Sequence, residues 1–199
     1  MPKRAGGGLA FGAGGGVLLT LTAAAVAIGV RLAFSLLPPA AGADYNRYLW
    51  DGAVTASGHN PYRYSPMQAL SGDVPPGVRA AAQQVADTLR AVNHPNLRTV
   101  YPPVAQGLFA VAHGLAGFDR TGLRVVLLLS ELCGLTVLAA LLRRTGRSPL
   151  WLTASLWNPL LAFETYGRLH VDVAAGVLIA LVVWGFVSRR PVVAGLALA

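Results

Sequence analysis

Apolar positions fall in five runs along the chain, and the intervals between them set its plan. The first run covers 5–37, with Arg31 as its only charge. A helix needs about 20 apolar residues to cross the hydrocarbon core of a bilayer, so this run suffices for one crossing. Its surplus is glycine at positions 6, 7, 8, 12, 14, 15 and 16. Glycines there allow close helix packing or give a loose start. A secretory signal is the competing reading, with Lys3-Arg4 in front and Ala41-Gly42-Ala43 as a cleavage site. A signal core is about 7–15 residues long, far shorter than this run, which favours an anchor. A polar interval follows over 38–100, rich in Pro and Gly turns. Within it, Val78, Ala82, Val85, Leu89 and Val92 recur at helical spacing, while Arg79, Gln83, Asp87 and Arg90 lie elsewhere on the wheel. The spacing predicts a short amphipathic helix over 78–92, stopped by His94-Pro95. It would lie on the membrane surface or pack on the bundle.

Three more apolar runs come after it: a short one at 104–118, a full-length one at 123–142 containing Glu131, and a long one at 150–186. The last is interrupted between Glu164 and Asp172. A charge facing lipid costs about 2.5–3.5 kcal/mol on insertion scales. The interruption therefore predicts two helices, 149–165 and 171–187, that meet at a polar elbow and are kinked at Pro159.

Composition narrows the class. Of the 199 residues, 54% are hydrophobic and 12% charged, and the mean hydropathy is +0.54. Soluble domains carry about 25% charged residues, so polar side chains are too few to cover an ordinary soluble globule. Disorder is excluded by the same hydrophobicity. One cysteine, Cys133, excludes a disulfide scaffold. It sits mid-run and reads as a buried, inert side chain. The fold class expected is all-α, a polytopic membrane helix bundle. It forms a single domain over 1–199, with 38–100 as its first extracytoplasmic loop.

The net charge of +8 would suggest nucleic acid in a soluble protein. Here the basic residues punctuate the ends of apolar runs: Lys3-Arg4, Arg143-Arg144 with Arg147, and Arg189-Arg190. That is the positive-inside pattern. No basic stripe interleaved with aromatics exists, so the expected partner is the lipid bilayer and not nucleic acid. With all three clusters inside, 38–100 and the elbow lie outside, provided that 104–118 does not fully cross. Fifteen helical residues reach about 22 Å, short of a roughly 30 Å core, which fits a re-entrant or tilted segment. The alternative lets 104–118 cross and misplaces one basic cluster.

On the first plan, Asp44, Asp51, Tyr101 and the elbow residues come to one outer face. Asp44 and Asp51 are seven apart, two helical turns on one side. A carboxylate there suits a general base toward a hydroxyl, and the planar fork of Arg47 suits a phosphate. An interfacial belt of Tyr45, Tyr48 and Trp50 with an Asp44–Arg47 ion pair explains the same residues. Tyr101-Pro102-Pro103 reads as a rigid extended element. In the elbow, Glu164, Arg168, His170 and Asp172 are intramembrane ionisable residues, a functional-site signature. His170 and Asp172 are two apart, too few for a metal site. Donor-phosphate or sugar contact is the better reading, and an interhelical hydrogen-bond network the plainer one.

Several motifs stand in order. They are Asp44-x-x-Arg47-Tyr48-x-Trp50-Asp51-Gly52, Gly58-x-Asn60-Pro61-Tyr62, His94-Pro95 with Tyr101-Pro102-Pro103-x-x-Gln106, and Trp157-Asn158-Pro159-Leu160 with Glu164, Gly167, His170 and Asp172. Together they resemble the GT-C superfamily of membrane glycosyltransferases. They are most similar to the bacterial polyprenyl-phosphate-mannose-dependent mannosyltransferases, including the alpha-1,6-mannopyranosyltransferase group. The resemblance implies inverting transfer of a sugar, typically mannose, from a polyprenyl phosphate to a hydroxyl of a glycan or lipid-linked acceptor. The reaction would take place on the outer face of a bacterial plasma membrane, without metal or other cofactor. It implies Asp44 as general base, with Asp51 as runner-up. Arg47, Tyr101, Glu164, Arg168, His170 and Asp172 would bind substrate.

Members of that superfamily carry more membrane helices than this chain supplies. Its last apolar run, 191–199, spans about 13.5 Å as a helix, so an N-terminal fragment is expected. A transporter or lipid flippase also uses broken helices, and a non-catalytic membrane subunit is the third reading.

Overall fold

The computed structural model describes residues 13–38 and 44–198. Lys3-Arg4, the glycines before position 13 and Ala41-Gly42-Ala43 lie outside them. The described residues form helices and turns, with no strand among them. In chain order the helices are α1 (Ala13–Leu36), α2 (Asp44–Ala56), α3 (Pro66–Ser71), α4 (Pro76–Gln84), α5 (Ala86–Arg90), α6 (Pro103–Ala116) and α7 (Arg120–Arg144). They continue with α8 (Leu152–Leu156), α9 (Pro159–Ala162), a π-helical turn (Phe163–Gly167), α10 (Asp172–Val187) and α11 (Pro191–Leu198). Among them α7 is long and apolar enough to cross a membrane, while Thr22–Leu36, α6 and α10 are apolar but shorter.

The helices form two layers. One holds α1, α7, the broken segment 149–170 and α10. Trp157 Nε1 donates to the Ala23 carbonyl at 3.0 Å, and Phe34 meets Phe163 edge-on at 5.5 Å. The broken segment therefore runs alongside α1 in the same direction. Leu127 of α7 packs with Val173 of α10, Gly134 lies against Val177, and Ala140 and Arg143 share a hollow with Trp184, so those two helices are parallel. Their N-termini share one end with the start of α2.

The second layer is α2 to α6. Trp50 and Val54 of α2 are buried against Val78, Ala82, Val85 and Leu89. The apolar stripe over 78–92 is thus covered by protein. It is not one helix, because it breaks at Val85 (φ −134°) into α4 and α5. Helix α6 packs on α2 and on the first turns of α7. Gly52 and Gly122 permit this, since a Cβ on the first would strike the Phe109 carbonyl and on the second the Ala112 carbonyl.

The single helix expected over 149–165 is broken. Pro159 has no N–H to continue a ladder, and the Asn158 side chain caps the restart, accepting from Leu160 N at 3.0 Å and Leu161 N at 3.2 Å. Cys133 is exposed, not buried. It points away from the side of α7, around 131, 134 and 138, that α10 covers.

Candidate active site

Asp44 is the first residue of α2, where a carboxylate suits the unpaired N–H groups of a helix start. Opposite it stands the elbow. The π-helical turn Phe163–Gly167 inserts an extra residue into the helix, a feature frequent at functional sites. Leu169 follows with φ 61°, a left-handed backbone that a branched side chain adopts at a cost of about 1–3 kcal/mol. Burial of that leucine between Leu127 and Val173 holds it there. The two distortions fold His170 back over Glu164, and His170 N donates to the Glu164 carbonyl at 2.9 Å.

The side chains then meet. His170 Nδ1 lies 2.8 Å from Glu164 Oε2 and 3.9 Å from Asp172 Oδ2. Its Nε2 faces Asp44 Oδ2 at 3.8 Å. The carboxylate of Glu164 can only accept, so Nδ1 carries the proton and Nε2 is turned toward Asp44. Arg168 Nη1 stands 3.6 Å from Glu164 Oε1. Asn93 Nδ2 donates to Asp44 Oδ1 at 3.1 Å. The Asp44 side chain is 38% exposed and the His170 side chain 17%. The knot is open to small polar molecules and shielded on its imidazole side.

A groove of about 210 Å³ runs from this knot between α7 and α10. Glu164, His170 and Asp172 line its mouth, and Leu135, Leu138, Val173 and Val177 line its length. Gly134, Gly176 and Ala180 keep it open.

The other residues named from the sequence lie elsewhere. Arg47 is buried, and its guanidinium donates to the carbonyls of Leu97 (2.9 Å), His94 (3.1 Å) and Asn93 (3.3 Å). It clamps the 93–97 turn and makes no ion pair with Asp44. Asp51 is 1% exposed. Its Oδ2 accepts from Gln106 Nε2 at 3.3 Å, and the same amide donates to Thr99 Oγ1 at 2.9 Å. Burial pushes the Asp51 carboxyl up to about 6, against the pull of Thr99, Gln106 and Arg47. Tyr101 is half-buried in an aromatic cluster, edge-on to Tyr48 at 5.0 Å and to Phe109 at 5.6 Å. Its carbonyl accepts from the Tyr62 hydroxyl at 2.7 Å. The gathering expected of four acids is therefore one of three, without Asp51.

Sequence reasoning missed two partners. Asn93 holds Asp44, and its place just before His94-Pro95 was the available signal. Glu131 pairs with Arg31 of α1. Arg31 Nε donates to Glu131 Oε2 at 2.9 Å, and Nη2 contacts Oε1. The Tyr166 hydroxyl donates to Oε2 at 2.5 Å. Arg31 Nη1 also donates to the carbonyls of Ala27 (3.0 Å) and Leu156 (2.9 Å). This network ties α1, α7 and the broken segment together directly beneath the elbow. Among the described residues no group of His, Cys, Asp and Glu could hold a metal ion.

Comparison with known proteins gives one finding. A family model described as alpha-(1->6)-mannopyranosyltransferase, N-terminal domain, matches residues 12–199. No curated protein and no solved structure matched.

Proposed function

The chain belongs to the alpha-(1->6)-mannopyranosyltransferase family, matching its N-terminal domain, and from that premise we propose a mechanism and a topology for it. The protein is an integral membrane glycosyltransferase of GT-C type. It moves mannose from a polyprenyl phosphate to an acceptor hydroxyl on the outer face of a plasma membrane, with inversion.

One observation carries this reading. A polar knot of Asp44, His170 and Glu164 adjoins a groove lined mostly by apolar and small residues, with Glu131, Ser155 and Thr165 also on its wall. A polyprenyl-phosphate sugar has the same division, with a polar head joined to a hydrocarbon tail. The tail would lie along Leu135, Leu138 and Val177, and the head at the elbow. Helix α6 supports the topology: it packs on α2 and the first turns of α7, so 104–118 need not cross, and Arg143, Arg144 and Arg190 come to one side.

In the step proposed, the acceptor hydroxyl gives its proton to Asp44 as its oxygen bonds to the anomeric carbon. The bond from that carbon to the phosphate oxygen breaks on the opposite face. The electron pair leaves with the polyprenyl phosphate. The transition state is oxocarbenium-like, and Arg168 is the cation of the knot that would stabilise the departing phosphate. Glu164 orients the imidazole so that Nε2 stays on Asp44. Asp172 is left to contact the sugar or acceptor, and no metal is needed.

The test is transfer of mannose from polyprenyl-phospho-mannose by membranes containing Asp44→Asn. A general base contributes about 10²–10⁴-fold, so transfer falls about 10³-fold while abundance is unchanged. Undiminished transfer removes Asp44 from the role. Substrate uptake into proteoliposomes without any covalent product would replace the enzyme by a transporter.

A further inference from the structure

At the end of α7 and α10 farthest from Asp44, five arginines collect: Arg143, Arg144 and Arg147 after α7, Arg189 and Arg190 after α10. No carboxylate can balance them locally. The sequence has no Asp or Glu between 132 and 163, and none from 173 to 199. None of the five is in an ion pair among the described residues. Topology alone requires only that such charges be present. It does not require a shaped surface beside them.

A shaped surface is there. Arg143 lines two hollows at once. One, of about 450 Å³, lies along Leu132, Leu135, Ala139 and Leu142 and ends at Arg143 and Arg147. The other, of about 360 Å³, lies between Ala140, Arg143, Arg144 and Trp184. The apolar strip from 132 to 142 is about 15 Å long at helical rise, roughly half a hydrocarbon core. That is the reach of one acyl chain in one leaflet. The strip and the paired guanidiniums therefore have the length and the charge of a single anionic lipid.

We propose that the face of α7 over 132–147 is a binding site for an anionic glycerophospholipid. Its phosphate is held between Arg143 and Arg147, and an acyl chain lies along Leu132 to Leu142. The site adjoins the donor groove, with Leu135 on the wall of both, but its phosphate end lies at the opposite end of α7. The inference rests on the membrane-embedded half of the proposed function but not on its chemistry.

The experiment incorporates the full chain into bilayers of mixed phosphatidylglycerol and phosphatidylcholine and reads retained lipid by native mass spectrometry. Two arginines at a membrane surface favour an anionic over a zwitterionic lipid by about thirtyfold. One phosphatidylglycerol per chain should be retained in that preference. The double variant Arg143→Gln/Arg147→Gln should lose it. The charge-matched double variant Arg189→Gln/Arg190→Gln should keep it, and Ala139→Trp, which fills the strip without changing charge, should lose it. Equal loss in both double variants would show a diffuse charge effect and overturn the site. So would displacement of the glycerophospholipid by an equal amount of polyprenyl phosphate. A chain that fails to enter the bilayer at all would instead sink the membrane reading.

Discussion

Asp44 and Asp51 stand two turns apart on one helix, and their surroundings are opposite. Asp44 is 38% exposed and faces an imidazole and an amide donor. Asp51 is 1% exposed, faces Gln106, and is pushed up to about 6 by burial. A base toward an incoming hydroxyl must be reachable and anionic at working pH. Asp44 is reachable and Asp51 is not. Equal spacing on a helix face therefore says little about equal chemistry, because Gln106 of α6 and Thr99 close over Asp51 while the first turn of α2 stays open at Asp44.

The sharpest test of this contrast compares Asp44→Asn with Asp51→Asn in transfer assays. The first should lose about 10³-fold with the fold intact, whereas the second should transfer near the parent rate at pH 7.5. The reverse pattern would move the base to Asp51. Next in size is Arg47→Met, which strips the donors from three carbonyls of the 93–97 turn. It should cost about 3 kcal/mol of stability, seen as a lower Tm. If Arg47 bound phosphate instead, transfer would fall and Tm would hold.

Asp51→Asn is also a stability test. The folded carboxyl titrates at about 6 against an ordinary 3.8, so folding favours its protonated form. Its contribution is fully present below about 3.8 and is lost as pH rises through about 6, a swing of about 3 kcal/mol. The asparagine variant should therefore flatten the fall in Tm between about pH 4 and 6, and be the more stable protein at pH 7.5. An unchanged pH profile of Tm would remove the buried charge as its cause. The smallest effect is expected from Thr99→Val, which leaves the Gln106 amide one acceptor short. It should lower Tm by the equivalent of about 1 kcal/mol without altering transfer.

The part of the fold governed by period and composition was legible in the sequence. The apolar runs became α1, α6, α7 and α10, and Pro159 broke the helix that contains it. In a chain with 12% charged residues, the crowding of Glu164, Arg168, His170 and Asp172 marked the elbow. The rest depended on distant backbone. Nothing in Asp44-x-x-Arg47 says that the 93–97 turn will offer three carbonyls to the arginine. Arg31 and Glu131 are a hundred positions apart, so their pairing follows from packing and not from any local pattern. The stripe over 78–92 was right as a face and wrong as one helix, since Val85 turns the chain to keep the face on Trp50.

The parallel course of α7 and α10 has an electrical consequence. Each helix carries roughly half a positive charge at its start and half a negative one at its end, and parallel helices add where antiparallel ones cancel. The start of α10, at Asp172 beside His170, is electropositive, a setting that eases an anion arriving or departing there. The opposite ends are electronegative, and five arginines sit on them. Five of the surplus of +8 thus sit where the C-termini of α7 and α10 favour positive charge.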